Sequence, residues 1–224
     1  KLDLAVFSIG PSDFAESMAE RAQSIEPLPL ISQGNAQNIG LIMYTGGTTG
    51  EPKGVVHTHR SLVATFLINM AEVDWPQDIR FLAVTPVSHA ALGFILPVLL
   101  RGGVFAMLPR FSTRDFVAAV TTHRITATFL VPTMIYVLLN EAALAKADLS
   151  SLETVVYGAS PMSPARMLEA LERFGPIFVQ IFGQTECPNL ITALPKHDHD
   201  PARSEVLASC GRALIGNDVR LLGT

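Results

Sequence analysis

The chain has 224 residues, with 16 Lys and Arg against 20 Asp and Glu and a formal net charge of −4, so it lacks the basic footprint that nucleic-acid binding needs. Hydrophobic residues make up 49% and charged residues only 16%, enough for a sizeable core and an excess that anticipates faces packed against further protein or a homodimer partner. Two cysteines, Cys187 and Cys210, are too few for a disulfide framework and suit a reducing, cytoplasmic setting.

Residues 1–38 read as an N-terminal helix and linker segment, the linker falling in "EPLPLISQGNAQN" at 26–38. The first residues lack the basic-then-apolar order of a signal peptide. "IGLIMYT" at 39–45 is apolar on both alternating faces and predicts a buried strand. A helix is expected at 61–73, a strand at 80–85, a Pro-interrupted helix at 92–100 and a strand at 103–108. The apolar run from Ala90 to Leu108 is broken by Pro97, Arg101, Gly102 and Gly103, so a membrane span is not expected.

Ser112 and Asp115 announce a helix start. A strand at 125–131, a helix at 134–142 and a strand at 153–158 follow. Ser163 and Pro164 begin the next helix, and 177–183 is again a strand. A polar loop at 195–205 precedes a last strand at 217–222. This alternation implies an α/β fold with mostly parallel sheet and crossover helices. The chain opens on Lys1 and stops within a strand-like run, which reads as a piece incomplete at both ends.

In such sheets ligands bind beyond the carboxyl ends of the strands, and three suggestive segments fall there. The first is "TGGTTGEPKG". Gly46, Gly47 and Gly50 let backbone N–H groups approach an anion, Thr45, Thr48 and Thr49 add hydroxyls, and Lys53 adds a point charge suited to phosphate. A flexible surface turn is the plain alternative. Lys53 is followed by Gly54 rather than Ser or Thr, which excludes a Walker A loop and disfavours a P-loop kinase or NTPase. The second segment is "YGASPMS", and the third "FGQTE", where Glu186 is either a Mg²⁺ ligand or a solvated loop acid. Phe182 suits stacking on a base or a place in the core. His197 and His199 in "KHDHD" lack further partners at metal-site spacing and read as a solvated loop.

"YTGGTTGEPKG" resembles the phosphate loop of the adenylate-forming (ANL) superfamily of acyl-CoA synthetases, luciferases and peptide-synthetase adenylation domains. "FGQTE" is similar to the family's Tyr-Gly-x-Thr-Glu motif, "GRALIGNDVRLL" to its Gly-Arg-x-x-x-Gly-x-x-Val-Arg segment, and "PVSHAALG" to the Pro-x-x-His stretch of its acyl-CoA ligase branch. The resemblance implies that 39–224 is the central part of the ATP-binding large domain, with the small C-terminal domain absent.

It further implies a ligase in two half-reactions: a carboxylic acid and ATP give an acyl-adenylate, which passes its acyl group to coenzyme A. By motif, Thr45, Gly46, Gly47, Thr48, Thr49, Gly50 and Lys53 would cradle the β- and γ-phosphates. Gly158, Ala159 and Ser160 would back the adenine of ATP or AMP, and Phe182 would stack on it. Gly183 and Gln184 would belong to the nucleotide site, Thr185 would contact the α-phosphate, Glu186 would bind Mg²⁺, and His89 would stand where acyl group and thiol meet. A hydrogen-bonded histidine at a helix start is the plain alternative for His89.

No acid lies in 84–94 to pair with an α-amino group, which favours an ordinary carboxylic acid, fatty or aromatic, beside Leu92, Val131, Pro132 and Met134. Two alternatives remain: transfer to a carrier protein instead of coenzyme A, and a fragment that binds nucleotide without turnover.

Overall fold

The structure, a computed structural model, describes residues 7–8, 13, 16–27, 34–46, 51–141, 147–187 and 190–223. The chain divides into two compact units, Lys1–Asn35 and Ala36–Thr224. In the first, β1 (Phe7–Ser8) pairs in parallel with β2 (Glu16–Ser17), and α1 (Met18–Gln23) follows at once. The Ser17 hydroxyl accepts from the Glu20 amide at 3.4 Å, occupying one of the donors that a helix start leaves free.

The second unit opens on a hairpin in which β3 (Ile39–Thr45) runs antiparallel to β4 (Lys53–Thr58), with Thr45 opposite Lys53. This corrects the expectation of a buried strand at 39–45. β3 belongs to a separate two-stranded sheet; Ile39, Ile42 and Tyr44 are exposed, and the alternate residues Leu41 and Met43 are half-buried. α2 (His59–Glu72) leaves β4 at Thr58, whose hydroxyl accepts from the Ser61 amide at 3.2 Å.

The main sheet holds the parallel strands β5 (Arg80–Ala83), β6 (Val104–Met107), β7 (Ala127–Leu130), β8 (Thr154–Gly158) and β9 (Phe178–Phe182). β10 (Thr192–Leu194) and β11 (Arg212–Ala213) add antiparallel at one edge, and the order across the sheet is β11-β10-β9-β8-β7-β5-β6. The parallel strands are connected through α3 (Leu92–Leu100), α4 (Thr113–His123), α5 (Pro132–Leu139) and α6 (Pro164–Phe174), while α7 (Ser204–Leu207) lies between β10 and β11. The α/β, mostly parallel reading of the sequence therefore holds. Its last strand does not: 217–222 forms no strand, and the unanticipated β10 and β11 close the edge instead.

Both faces of this sheet are covered, as near-continuous apolar strands require. On one face Leu82, Leu130, Val155 and Phe178 pack with Phe116 and Val120 of α4, Ile135 of α5 and Met167 of α6. On the other, Phe81, Phe129, Val156 and Ile181 pack with Phe94 and Val98 of α3. Phe94 stacks on Phe81 at 5.1 Å and on Phe129 at 5.4 Å between centroids, and Trp75 meets its edge at 6.1 Å. Asn69, fully buried in α2, donates to the Gly93 carbonyl at 3.4 Å and so ties α2 to α3. Among the described residues no helix is long and apolar enough to cross a membrane.

Candidate functional site

A cavity of about 310 Å³ opens beyond the carboxyl ends of β7, β8 and β9, a size that suits a small-molecule site. Its polar side is made by His89, Ala159, Gly183, Gln184 and Thr185. Residues far apart in sequence, His89 to Gly93, Ala159 and Ile181 to Thr185, are thus brought to one place.

Each polar element has a local cause. β8 ends at Gly158, which stands beside Ile181 in the ladder; a β-carbon there would collide with the Ile181 carbonyl, so only glycine lets the strands approach this closely. Ala159 follows at φ 69°, a left-handed conformation that costs a non-glycine residue about 1–2 kcal/mol. It is one of only two non-glycine residues with positive φ among those described, and strain of this kind collects at functional sites. Ala159 and Ser160 are exposed.

After β9, the Gln184 amide donates to the Cys187 carbonyl at 3.1 Å and the Cys187 amide to the Gln184 carbonyl at 3.2 Å. This closed turn presents Thr185 to the cavity and leaves the Glu186 carboxylate exposed. Phe182 lies outside the cavity lining and is 40% exposed, so it is not a core aromatic. Burial pushes the Cys187 thiol up, away from the reactive thiolate.

His89 sits in the turn before α3. Its amide donates to the Pro86 carbonyl at 3.1 Å, and its Nδ1 lies 3.0 Å from the Ser88 hydroxyl. It is thus a hydrogen-bonded helix-start histidine that also lines the cavity.

The hairpin supplies the rest. The Thr45 hydroxyl donates to the Lys53 carbonyl at 3.4 Å, and Gly46 and Lys53 are exposed. Gly47, Thr48, Thr49 and Gly50 lie outside the described residues. Leu41 and Met43 on β3 face Leu62 and Phe66 of α2 across the apolar half of the cavity. Leu92 lines it as anticipated, but Val131, Pro132 and Met134 do not; Pro132 is buried and Met134 packs into the core beneath. The signal for the missed wall was the i, i+4 spacing of Leu62 and Phe66 on α2.

As for a metal, Glu186 offers one exposed carboxylate beside the Thr185 hydroxyl, a hard oxygen set that suits Mg²⁺ when phosphates and water complete it. Among the described residues no group of three or more His, Cys, Asp or Glu is assembled.

The reading of "KHDHD" as a solvated loop is corrected at one position. His197 is exposed, but His199 is buried and hydrogen-bonded to Tyr157 and to the Pro195 carbonyl. Polar composition concealed it, because a histidine can be buried once both ring nitrogens have partners.

A strained turn after β8 and a hydroxyl-bearing turn after β9 stand at the carboxyl ends of an α/β sheet, and residues 5–224 match the family of AMP-binding enzymes. The chain belongs to that family, within the adenylate-forming (ANL) superfamily. It is 44% identical to the medium/long-chain-fatty-acid–CoA ligase FadD8 of Mycobacterium tuberculosis, over 97% of this chain and 38% of that protein. It is 36% identical to feruloyl-CoA synthase of an Amycolatopsis species, over 83% of this chain and 37% of the relative. The amide bond synthetase McbA of Marinactinospora thermotolerans superposes with a TM-score of 0.84 at 33% identity, covering 94% of this chain and 42% of McbA. The chain thus spans less than half the length of these relatives.

Proposed function

We propose that the chain forms the nucleotide- and acid-binding part of an AMP-forming acid–CoA ligase whose acid carries a medium or long apolar chain. One observation carries the second half of this reading. The cavity shares Leu41, Leu62, Phe66 and Leu92 with a groove of about 380 Å³ between α2 and α3, lined further by Val63, Leu67, Met70, Leu96 and Leu100. A carboxylate held at the polar end, near His89 and Thr185, has an apolar path for its tail. The name of FadD8, which acts on medium- and long-chain fatty acids, agrees with that path.

In the first half-reaction a carboxylate oxygen attacks the α-phosphorus of ATP, and the bond to pyrophosphate breaks. The carboxylate is already a nucleophile, so the protein's task is alignment and charge stabilisation. The residues of 45–53, with Lys53, hold the β- and γ-phosphates, Thr185 donates to the α-phosphate, and Ala159, Ser160 and Phe182 receive the adenine. Glu186 would hold a Mg²⁺, which would neutralise phosphate charge. In the second half-reaction the sulfur of coenzyme A attacks the acyl carbon, AMP leaves, and His89 lines the place where thiol and acyl group meet.

The test is carboxylate-dependent ATP–pyrophosphate exchange, run on this chain and on the longest polypeptide that contains it, with acids of six to sixteen carbons and with ferulate. Exchange that rises with chain length supports the reading. Exchange only with ferulate would move the substrate to aromatic acids, and none with any acid would remove the ligase assignment.

A further inference from the structure

We propose that the loop at 195–199 is a clamp on β8, in which His199 acts as a positioning residue, through Tyr157, for the strained wall at 158–160. β10, from which the loop springs, is hydrogen-bonded to β9 and β11 but not to β8. The loop nonetheless reaches past β9 and grips β8 near both ends.

At the start of β8, the Lys196 ammonium donates to the Thr154 hydroxyl at 2.8 Å, and the Lys196 amide donates to the Asp74 carboxylate at 3.2 Å. The Thr154 hydroxyl itself donates to the Asp74 carbonyl at 2.6 Å. Near the end of β8, the Tyr157 hydroxyl lies 3.0 Å from His199 Nε2, while His199 Nδ1 lies 2.9 Å from the Pro195 carbonyl. A carbonyl only accepts, so Nδ1 carries the proton, and Nε2 is left to accept from the Tyr157 hydroxyl. Both side chains are buried, and their rings meet edge to face at 5.7 Å. Burial also pushes the Tyr157 hydroxyl above its usual range, which keeps it a donor.

Tyr157 is the last side chain of β8 before Gly158 and Ala159. The left-handed Ala159 persists only where its surroundings over-determine it. On one side the close approach of Gly158 to Ile181 does this. On the other, the group directly before the turn is the Tyr157 ring, wedged between Phe178 at 6.1 Å and His199 and tethered by its hydroxyl, while buried Met162 and the Ser163 amide, which donates to the Tyr136 hydroxyl at 2.9 Å, hold the segment further on. The clamp transmits the position of a loop some forty residues away to the wall that meets the ligand. That the ligand's base is what this wall meets rests on the proposed function; the clamp itself does not.

The experiment is amide hydrogen exchange and AMP titration on the 224-residue chain, well below its melting temperature. The variants are Tyr157→Phe, His199→Leu and their combination. Tyr157→Phe removes one hydroxyl and should fold. Exchange at Gly158 and Ala159 is expected to quicken by about tenfold, the size of one buried hydrogen bond, while Thr128 and Leu82 in the sheet stay unchanged. The combined variant should be no worse than His199→Leu alone, which already removes the shared bond together with the one to the Pro195 carbonyl. AMP affinity should fall by a similar factor. Uniform acceleration across the sheet, or additive losses in the combined variant, would overturn the clamp in favour of general stability. If unaltered protein does not bind AMP, the nucleotide reading fails, and the exchange pattern still decides the clamp.

Discussion

A β-carbon at position 158 would meet the backbone carbonyl of Ile181, and a carbonyl in a parallel ladder cannot swing aside as a side chain can. Gly158→Ala is therefore expected to destabilise the protein by about 3 kcal/mol, at the upper end of ordinary overpacking. A chemical denaturation curve measures this directly, and a loss under about 0.5 kcal/mol, typical of surface positions, would mean the strands can part there without cost.

His199 makes a pH-dependent contribution whose sign is fixed by its environment. Burial lowers its pKa more than the Pro195 carbonyl and the nearby Asp198 raise it, so the folded value lies below the unfolded value of about 6.5. Its stabilising contribution is complete above that value and is lost as pH falls toward the folded pKa, because the unfolded chain takes up the proton first. The charged group beside it, Asp198, does not reverse this order. Denaturation midpoints at pH 7.5 and 5.5 should differ more for wild type than for His199→Leu; equal differences would show that His199 titrates as if exposed.

At the scale of elements, α2 divides the apolar space in two. Phe66 lines both the cavity and the groove, so under the proposed function its ring would stand in the path of a long acyl tail. Phe66→Ala should then raise kcat/KM for sixteen-carbon acids relative to eight-carbon acids by about tenfold, the worth of roughly two further methylenes buried at about 0.8 kcal/mol each. An unchanged ratio would place the tail elsewhere.

Elements whose signals are local were legible in the sequence. α4 begins where Ser112 promised, with the Asp115 amide donating to its hydroxyl at 3.1 Å, and α6 begins at Pro164. Elements defined by a distant partner were not. β3 is apolar on both faces, as a buried strand would be, yet one face looks into the cavity and the other is open. The run at 217–222 has strand composition but no partner strand among the described residues. β10 is three residues long and exists because β9 and β11 flank it. The three motif loops could be placed at strand ends; that α2 would close the apolar side could not, since helix packing depends on tertiary contacts. The clamp at His199 was hidden for the same reason.

For the molecule as a whole, both clusters of buried apolar residues found among the described residues belong to the second unit, between Val73 and Leu214. A chain beginning at Ala36 should keep its melting temperature within about 4 °C of the 224-residue protein, a shift equivalent to roughly 1 kcal/mol at this size. A larger fall in calorimetry would show that the first unit supports the second.

The strand order has a consequence for how the protein is made. Read from one edge, the sheet runs β6, β5, β7, β8, β9, β10, β11, so after the first pair every strand adds to an edge already standing when it emerges. At a synthesis rate of about 5–20 residues per second, each βα unit has seconds to dock before its successor appears. Slow parallel pairing is thereby spread over translation, with no early strand left waiting for a late one. The left-handed wall at 159 and its anchor at 199 follow β5 to β7 in the chain, so this wall is set only after the first strands of the sheet have paired.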